Sequence, residues 1–125
     1  MNIKLLVIFS VVFLLLDIIW LQYFTTIINP TIEKIQRAPI VFNIPAAVVA
    51  YLIMIIAYYN IAYDNDTPNY WRSILLGLAI YGTYEFTNLA TFKDWDLKTA
   101  IIDISWGITI SALSLFITDY IYRKN

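Results

Sequence analysis

Three carboxylates, Asp17, Glu85 and Asp103, lie inside long apolar runs with no basic residue beside them. A charged side chain at the centre of a bilayer costs about 2.5 to 3.5 kcal/mol on insertion scales, so an unpaired acid in an apolar span is a functional candidate by default. All eight Lys and Arg fall in connectors or at the ends of the runs. The acids must therefore be protonated, hydrogen-bonded to one another or to Tyr, Asn and Trp donors, open to a water-filled cavity, or paired with a cation from outside.

The residues around these acids are ordered by helical spacing. Gly77, Tyr81, Glu85 and Asn88 follow one stripe of a helix, with Tyr84 and Thr87 beside it. Asp103, Gly107, Ser111, Ser114 and Thr118 form a second stripe, and Trp106 is one turn from Asp103. Asp17-Ile18-Ile19-Trp20 repeats the local pattern of Asp103-Ile104-Ser105-Trp106. The first and fourth runs of a four-span chain point in opposite directions, so we read the repeat as two uses of one local device, a carboxylate with a Trp one turn away, and not as a tandem duplication. Glu85 and Asp103 each stand about one to two turns inside the third connector at 1.5 Å per residue, and Asp17 is nearer the midplane. A compact bundle then gathers all three acids in one half of the membrane.

The expected ion- or ligand-binding set is Asp17, Trp20, Tyr81, Tyr84, Glu85, Thr87, Asn88, Asp103 and Trp106, with no metal site and no cofactor. The competing explanation is interhelical glue, since such hydrogen bonds average about 0.6 kcal/mol in membrane proteins. Ser and Asn alone could supply that, whereas three acids accumulate an insertion penalty. Tyr23, Tyr63, Tyr70, Trp71, Trp95, Tyr120 and Tyr122 read as interfacial belt.

These residues need apolar helices to carry them. Of 125 residues, 61% are apolar and 14% charged, against about 25% charged in soluble domains. A hydrocarbon core of about 30 Å takes about 20 residues of helix, and four runs fill the chain, at about 5–28, 40–63, 71–92 and 97–122. The expected fold is all-α, a single four-transmembrane-helix bundle forming a multi-pass integral membrane domain in contact with the lipid bilayer. The first run is too long for a signal peptide, contains Asp17 and lacks a small-residue cleavage pattern, so it is read as a retained span.

Asn29-Pro30 is expected to end the first span, leaving a connector from Pro30 to Pro39 that could form a short interfacial helix. Thr67 is the expected N-cap and Pro68 the first helical residue of the third span, and Asp96 caps the fourth. Pro45 belongs to the first turns of the second span, where Ala46, Ala50 and Ala57 give a small-residue face. Four spans put both termini on one side, and Lys and Arg are then tied at four per side, so the positive-inside rule gives no orientation. With no Cys and no His, thiolate, imidazole and haem-ligand chemistry are excluded. A net charge of −1 without a basic run offers no footprint for nucleic acid.

The run from Tyr81 through Gly82, Thr83, Tyr84, Glu85, Phe86, Thr87, Asn88, Leu89, Ala90, Thr91 and Phe92 to Lys93, then Trp95, then Asp103-Ile104-Ser105-Trp106-Gly107, resembles the signature of a family of small predicted membrane proteins, domain of unknown function 2177. Asp17-Ile18-Ile19-Trp20-Leu21 is similar to its first-span motif. The resemblance implies a four-helix membrane protein and marks Asp17, Trp20, Tyr84, Glu85, Thr87, Asn88, Asp103, Trp106 and Gly107 as motif positions. Glu85 stands where the family pattern has Asp, which keeps the carboxylate and lengthens its reach. Asp94 and Asp96 replace a Gly and a Pro, which makes the third connector more acidic. The family brings no activity with it.

From the residues, the leading expectation is a small transporter or channel subunit in which the carboxylates bind a proton or cation, or neutralise a small cationic or lipidic ligand. Its permeation path calls for a homo-oligomer, joined through Ala46 and Ala50 or through Gly107 and Ser111. The alternatives are a lipid-active or metal-assisted membrane enzyme and a non-catalytic membrane partner.

Overall fold

In the computed structural model, which describes residues 1–125, the chain forms four antiparallel helical rods. The first is α1, Ile3–Gln36; the second is α2, Ile44–Ala62. A two-residue antiparallel ribbon, β1 Tyr63–Asp64 with β2 Thr67–Pro68, leads into the third rod. That rod is α3, Tyr70–Gly77, a π turn, Leu78–Gly82, and α4, Thr83–Thr91. The last is α5, Leu97–Lys124. Helices α1, α2 and α5 are each long and apolar enough to cross a membrane. The third rod is about 33 Å long at 1.5 Å per residue, enough for the hydrocarbon core, but it is divided by the π turn.

Helix α1 does not stop at Pro30, as the sequence had suggested, but continues for two turns to Gln36. A proline inside a helix forfeits one backbone hydrogen bond. Here the extension is held by packing instead: Ile28 is buried against Phe24 and Trp95, with Ile32, Ile35 and Leu89 around them. Lys34 adds an ion pair to Asp94 of the connector between α4 and α5, at 3.2 Å. The helix ends at Arg37, which takes the left-handed conformation at φ 56°. Gln36 Nε2 then donates to the carbonyls of Ala38 and Pro39 at 2.9 and 2.8 Å, so the real connector to α2 is Arg37–Asn43.

The opposite end also differs from expectation in one detail. Thr67 and Pro68 pair with Tyr63 and Asp64 in the ribbon, and Asn69 is the N-cap of α3, accepting from the Arg72 amide at 3.1 Å. Asn65 and Asp66 have φ of 46° and 64°, the two positive values that a tight hairpin requires. Asn2 Nδ2 donates to Asp66 Oδ2 and to the Tyr122 hydroxyl, each at 2.7 Å, so this ribbon and both termini meet at one end of the bundle. Asp96 caps α5 as its sequence position predicts, accepting from the amides of Lys98 and Thr99.

Packing is uneven along the rods. At the terminal end Phe9, Phe13, Tyr58, Ala62, Ile110 and Leu115 form a closed core. Gly77 lets α3 and α5 approach closely, since a Cβ there would lie 2.5 Å from the Gly107 carbonyl oxygen and 2.0 Å from Ser111 Oγ. At the other end, α2 leaves the bundle. Its second half buries Ile55, Tyr58 and Ala62, whereas its first half, including Ile44, Val48 and Val49, is exposed. The result is a groove between α1, α2 and the third rod.

Candidate functional site

A polar layer separates the terminal core from the smaller apolar cluster around Trp95. Asp17 on α1 is 4% exposed and accepts three hydrogen bonds from neutral donors. The Tyr51 hydroxyl of α2 donates to Oδ2. The Tyr81 hydroxyl of the π turn and Trp106 Nε1 of α5 donate to Oδ1 at 3.2 and 3.1 Å. Asp17 is the acceptor in every one of these bonds.

The repeated Asp-x-x-Trp pattern works differently from the local device read in the sequence. Trp20 Nε1 of α1 donates to Asp103 Oδ1 of α5 at 3.1 Å, while Trp106 of α5 serves Asp17 of α1. Each indole thus binds the acid of the other helix, not its own. The two rings stack between them, centroids 5.0 Å apart and planes 9° from parallel. The antiparallel direction of α1 and α5 explains the exchange. The Trp lies one turn after the Asp in each helix, so reversing one helix sets each Trp level with the opposite Asp.

Glu85 is fully buried on α4. Its Oε2 accepts from Trp95 Nε1 at 2.7 Å, and its Oε1 receives no hydrogen bond from an ordinary donor. The carboxyl of Asp103 is its acidic neighbour. Two carboxylates cannot donate to each other, so a hydrogen bond between these two would need one shared proton. The three acids therefore divide into an accepting Asp17 and a Glu85–Asp103 pair. They do not form a group of three that could hold a metal ion. None takes part in an ion pair: the three salt bridges, Lys34–Asp94, Arg72–Asp64 and Arg123–Asp119, all lie outside the layer.

Of the other expected site residues, Tyr81 reaches Asp17 because Gly107 leaves room for its ring. A Cβ on Gly107 would meet that ring at 2.4 Å. The π turn carries Tyr81, an extra residue per turn at the place where the side chain must be aimed. Tyr84 is half exposed, borders the groove and meets the Trp95 ring edge-on. Asn88 is half-buried beside Tyr84. Thr87 stands apart: it is exposed, and its hydroxyl bonds back to the carbonyls of Thr83 and Tyr84. Gly107 and Ser111 are buried against Tyr81 and Tyr58 within one chain, so they are not available for the contact between copies that their size suggested.

Two members of the layer carried other readings or none in the sequence. Trp95 looks like a belt residue but is buried and holds Glu85. Tyr63, another expected belt residue, is also buried, in the terminal core. Tyr51 was not singled out. The available signal was its depth, since a Tyr in mid-span has no interface for its hydroxyl and must find a partner inside.

Asp17 and Asp103 face a cavity of about 570 Å³ that opens between α1 and α2 and is walled largely by apolar side chains, among them Phe24, Ile28, Met54 and Ile80. Such a volume is in the range of small-molecule sites, about 300 to 1,000 Å³.

Neither the comparison with curated proteins nor that with solved structures gives a match. The family model described as "Predicted membrane protein (DUF2177)" matches residues 2–119, which takes in the first three rods, all but the last five residues of α5 and every residue of the polar layer. With its long apolar helices and the match over nearly its whole length, the chain is a membrane protein and belongs to the DUF2177 family.

Proposed function

We propose that this protein is a small transport protein, crossing the bilayer four times, that loads and releases a proton or cation at its buried carboxylates. The observation that carries this reading is the fully buried Glu85, one of whose oxygens lacks a donor. The buried acid Asp103 is its neighbour, and neither of the two takes part in a salt bridge. Such a pair is satisfied by a proton between the two groups or by a cation from outside, and exchange of one for the other is the elementary step of coupled transport.

Asp17 has the complementary role. Its three hydrogen-bond donors are already in place, so it supplies a fixed acceptor one turn deeper than Asp103. The stacked indoles tie the two acids together: a displacement of Trp20 by a change at Asp103 reaches Trp106, and through it Asp17. Four helices enclose little volume, so a complete path needs a second copy of the chain. The exposed first half of α2, which carries Ala46, is the surface open to it.

The test is proton and monovalent-cation flux in liposomes, with Glu85→Gln and Asp103→Asn beside the native protein. Both substitutions keep shape and remove the charge. Flux abolished by both, with helical content retained, supports the reading. Absence of flux from correctly folded native protein, or flux indifferent to both changes, overturns it.

A further inference from the structure

The groove beside the carboxylates has a chemistry of its own. It reaches along α1 from Asp17 to Gln36, about 28 Å at 1.5 Å per residue, and no Lys or Arg lines it. Its floor is Asp17 and Asp103; its walls are apolar. Asp103 is 5% exposed, and Trp20 is its one N–H or O–H donor from the protein. Behind it Glu85 Oε1 is buried without an ordinary donor. The rings of Trp20, Tyr51, Tyr81 and Tyr84 border the acids. On the outer side the wall is the detached first half of α2, where Ala50 is exposed, so the groove opens sideways toward the bilayer.

We infer that this groove binds an amphiphilic ammonium ion, its cationic head against Asp103 and Asp17 and its apolar body along the walls toward Gln36. The inference rests on the carboxylates being the ligand-facing groups of the proposed transport function, and it adds the class of substrate. The alternatives fit less well. A bare metal ion has no use for apolar walls of this extent and finds no cluster of three ligands. A neutral lipid leaves the acids without a counter-charge, and an anionic one is repelled by them. An alkylammonium meets both halves of the site, since carboxylates attract its charge and aromatic faces add cation–π attraction.

The experiment is calorimetric titration of the protein in nanodiscs, with empty nanodiscs as the blank, using dodecyltrimethylammonium and the net-neutral dodecyldimethylamine N-oxide, which has the same chain. The native protein is expected to bind the cation saturably, one per chain, and about tenfold or more tighter than the N-oxide, a difference of about 1.4 kcal/mol. Ala50→Trp fills the groove without touching an acid and is expected to weaken the cation by a similar factor. Ile53→Trp, on an exposed part of α2 outside the groove, leaves binding unchanged. Asp103→Asn is expected to remove the preference for the cation over the N-oxide.

Equal affinity for the two amphiphiles, or binding that survives both Ala50→Trp and Asp103→Asn, overturns the inference. The two proposals fail separately. Cation binding without flux keeps the groove and removes transport, whereas carboxylate-dependent proton flux without amphiphile binding keeps transport and removes the groove.

Discussion

The two ends of this bundle solve the same problem, buried polar groups on packed helices, with different chemistry. At the terminal end the solution is neutral. The Tyr58 hydroxyl bonds Ser111 Oγ at 2.7 Å, Ser111 Oγ donates to the Gly107 carbonyl at 2.6 Å, and Ser73 Oγ donates to the Ser111 carbonyl at 2.8 Å. These bonds join α2, α3 and α5 without a charge and within a closed core. Toward the other end, the same four rods are joined through Asp17, Glu85 and Asp103, beside a groove. The hydroxyl network shows that this protein can fix helix register with Ser and Tyr alone. The carboxylates carry an insertion penalty that serine does not. Their presence where the bundle opens supports the proposal that a ligand enters there.

Substitutions at the two ends should separate these roles. The largest effect on stability is expected from Gly77→Val in the closed half. Its Cβ has no space beside the Gly107 carbonyl and Ser111 Oγ, and overpacking of this kind costs about 3 kcal/mol or more. Denaturant titration in detergent micelles measures it, and a loss well below 1 kcal/mol would show that α3 and α5 are not held this close. Asp17→Ala comes next, because it strands the Tyr51, Tyr81 and Trp106 donors at once. Each unsatisfied group of this kind costs about 1 to 3 kcal/mol, and relaxation around the groove argues for the lower end of that range per group. It should also abolish flux.

Much of this architecture is legible in the sequence, and the failures share a cause. Helical spacing assigns Asp103, Gly107, Ser111, Ser114 and Thr118 to one face, and all five are buried along α5. The cap at Asp96 follows from local chemistry. The placements of Pro30, Trp95 and Tyr63 differ from those their local sequence predicts, because each depends on packing between distant residues. Pro30 remains helical because the turns beyond it pack on Trp95 and Leu89. Trp95 is drawn inward by Glu85, ten residues earlier. The exchanged Asp-x-x-Trp contacts were visible as a repeat, but which indole serves which acid follows only from the pairing of α1 with α5. The detachment of α2 left no signal in spacing, since a helix facing lipid and one facing other helices are both apolar.

Smaller effects sharpen the contrast. Ser111→Ala removes hydrogen bonds between neutral groups and should cost about 0.6 kcal/mol, the membrane-protein average for one interhelical bond, with flux and amphiphile binding unchanged. Flux lost on this change alone would extend the functional region into the closed half. The smallest effect belongs to Asp96, outside the spans. The Thr99 hydroxyl, first, and then the amides of Lys98 and Thr99 hold its carboxyl below its ordinary value of 3.8. Because the folded-state value is the lower one, its contribution is present above 3.8 and is lost as pH falls through the depressed value. Asp96→Asn should flatten that acid-side decline in thermal stability, measured by circular dichroism from pH 5 downward, and leave the neutral-pH binding properties intact.

Infrared spectroscopy of the reconstituted protein, in the region of the protonated-carboxyl stretch, decides whether Glu85 and Asp103 hold an exchangeable proton between them. The native protein at neutral pH should show one such band, shifted by exchange into deuterated water and absent from both Glu85→Gln and Asp103→Asn, whose amides donate to the remaining carboxylate. A spectrum with no protonated carboxyl, or one whose band persists in both variants, would mean that Glu85 and Asp103 hold no proton between them.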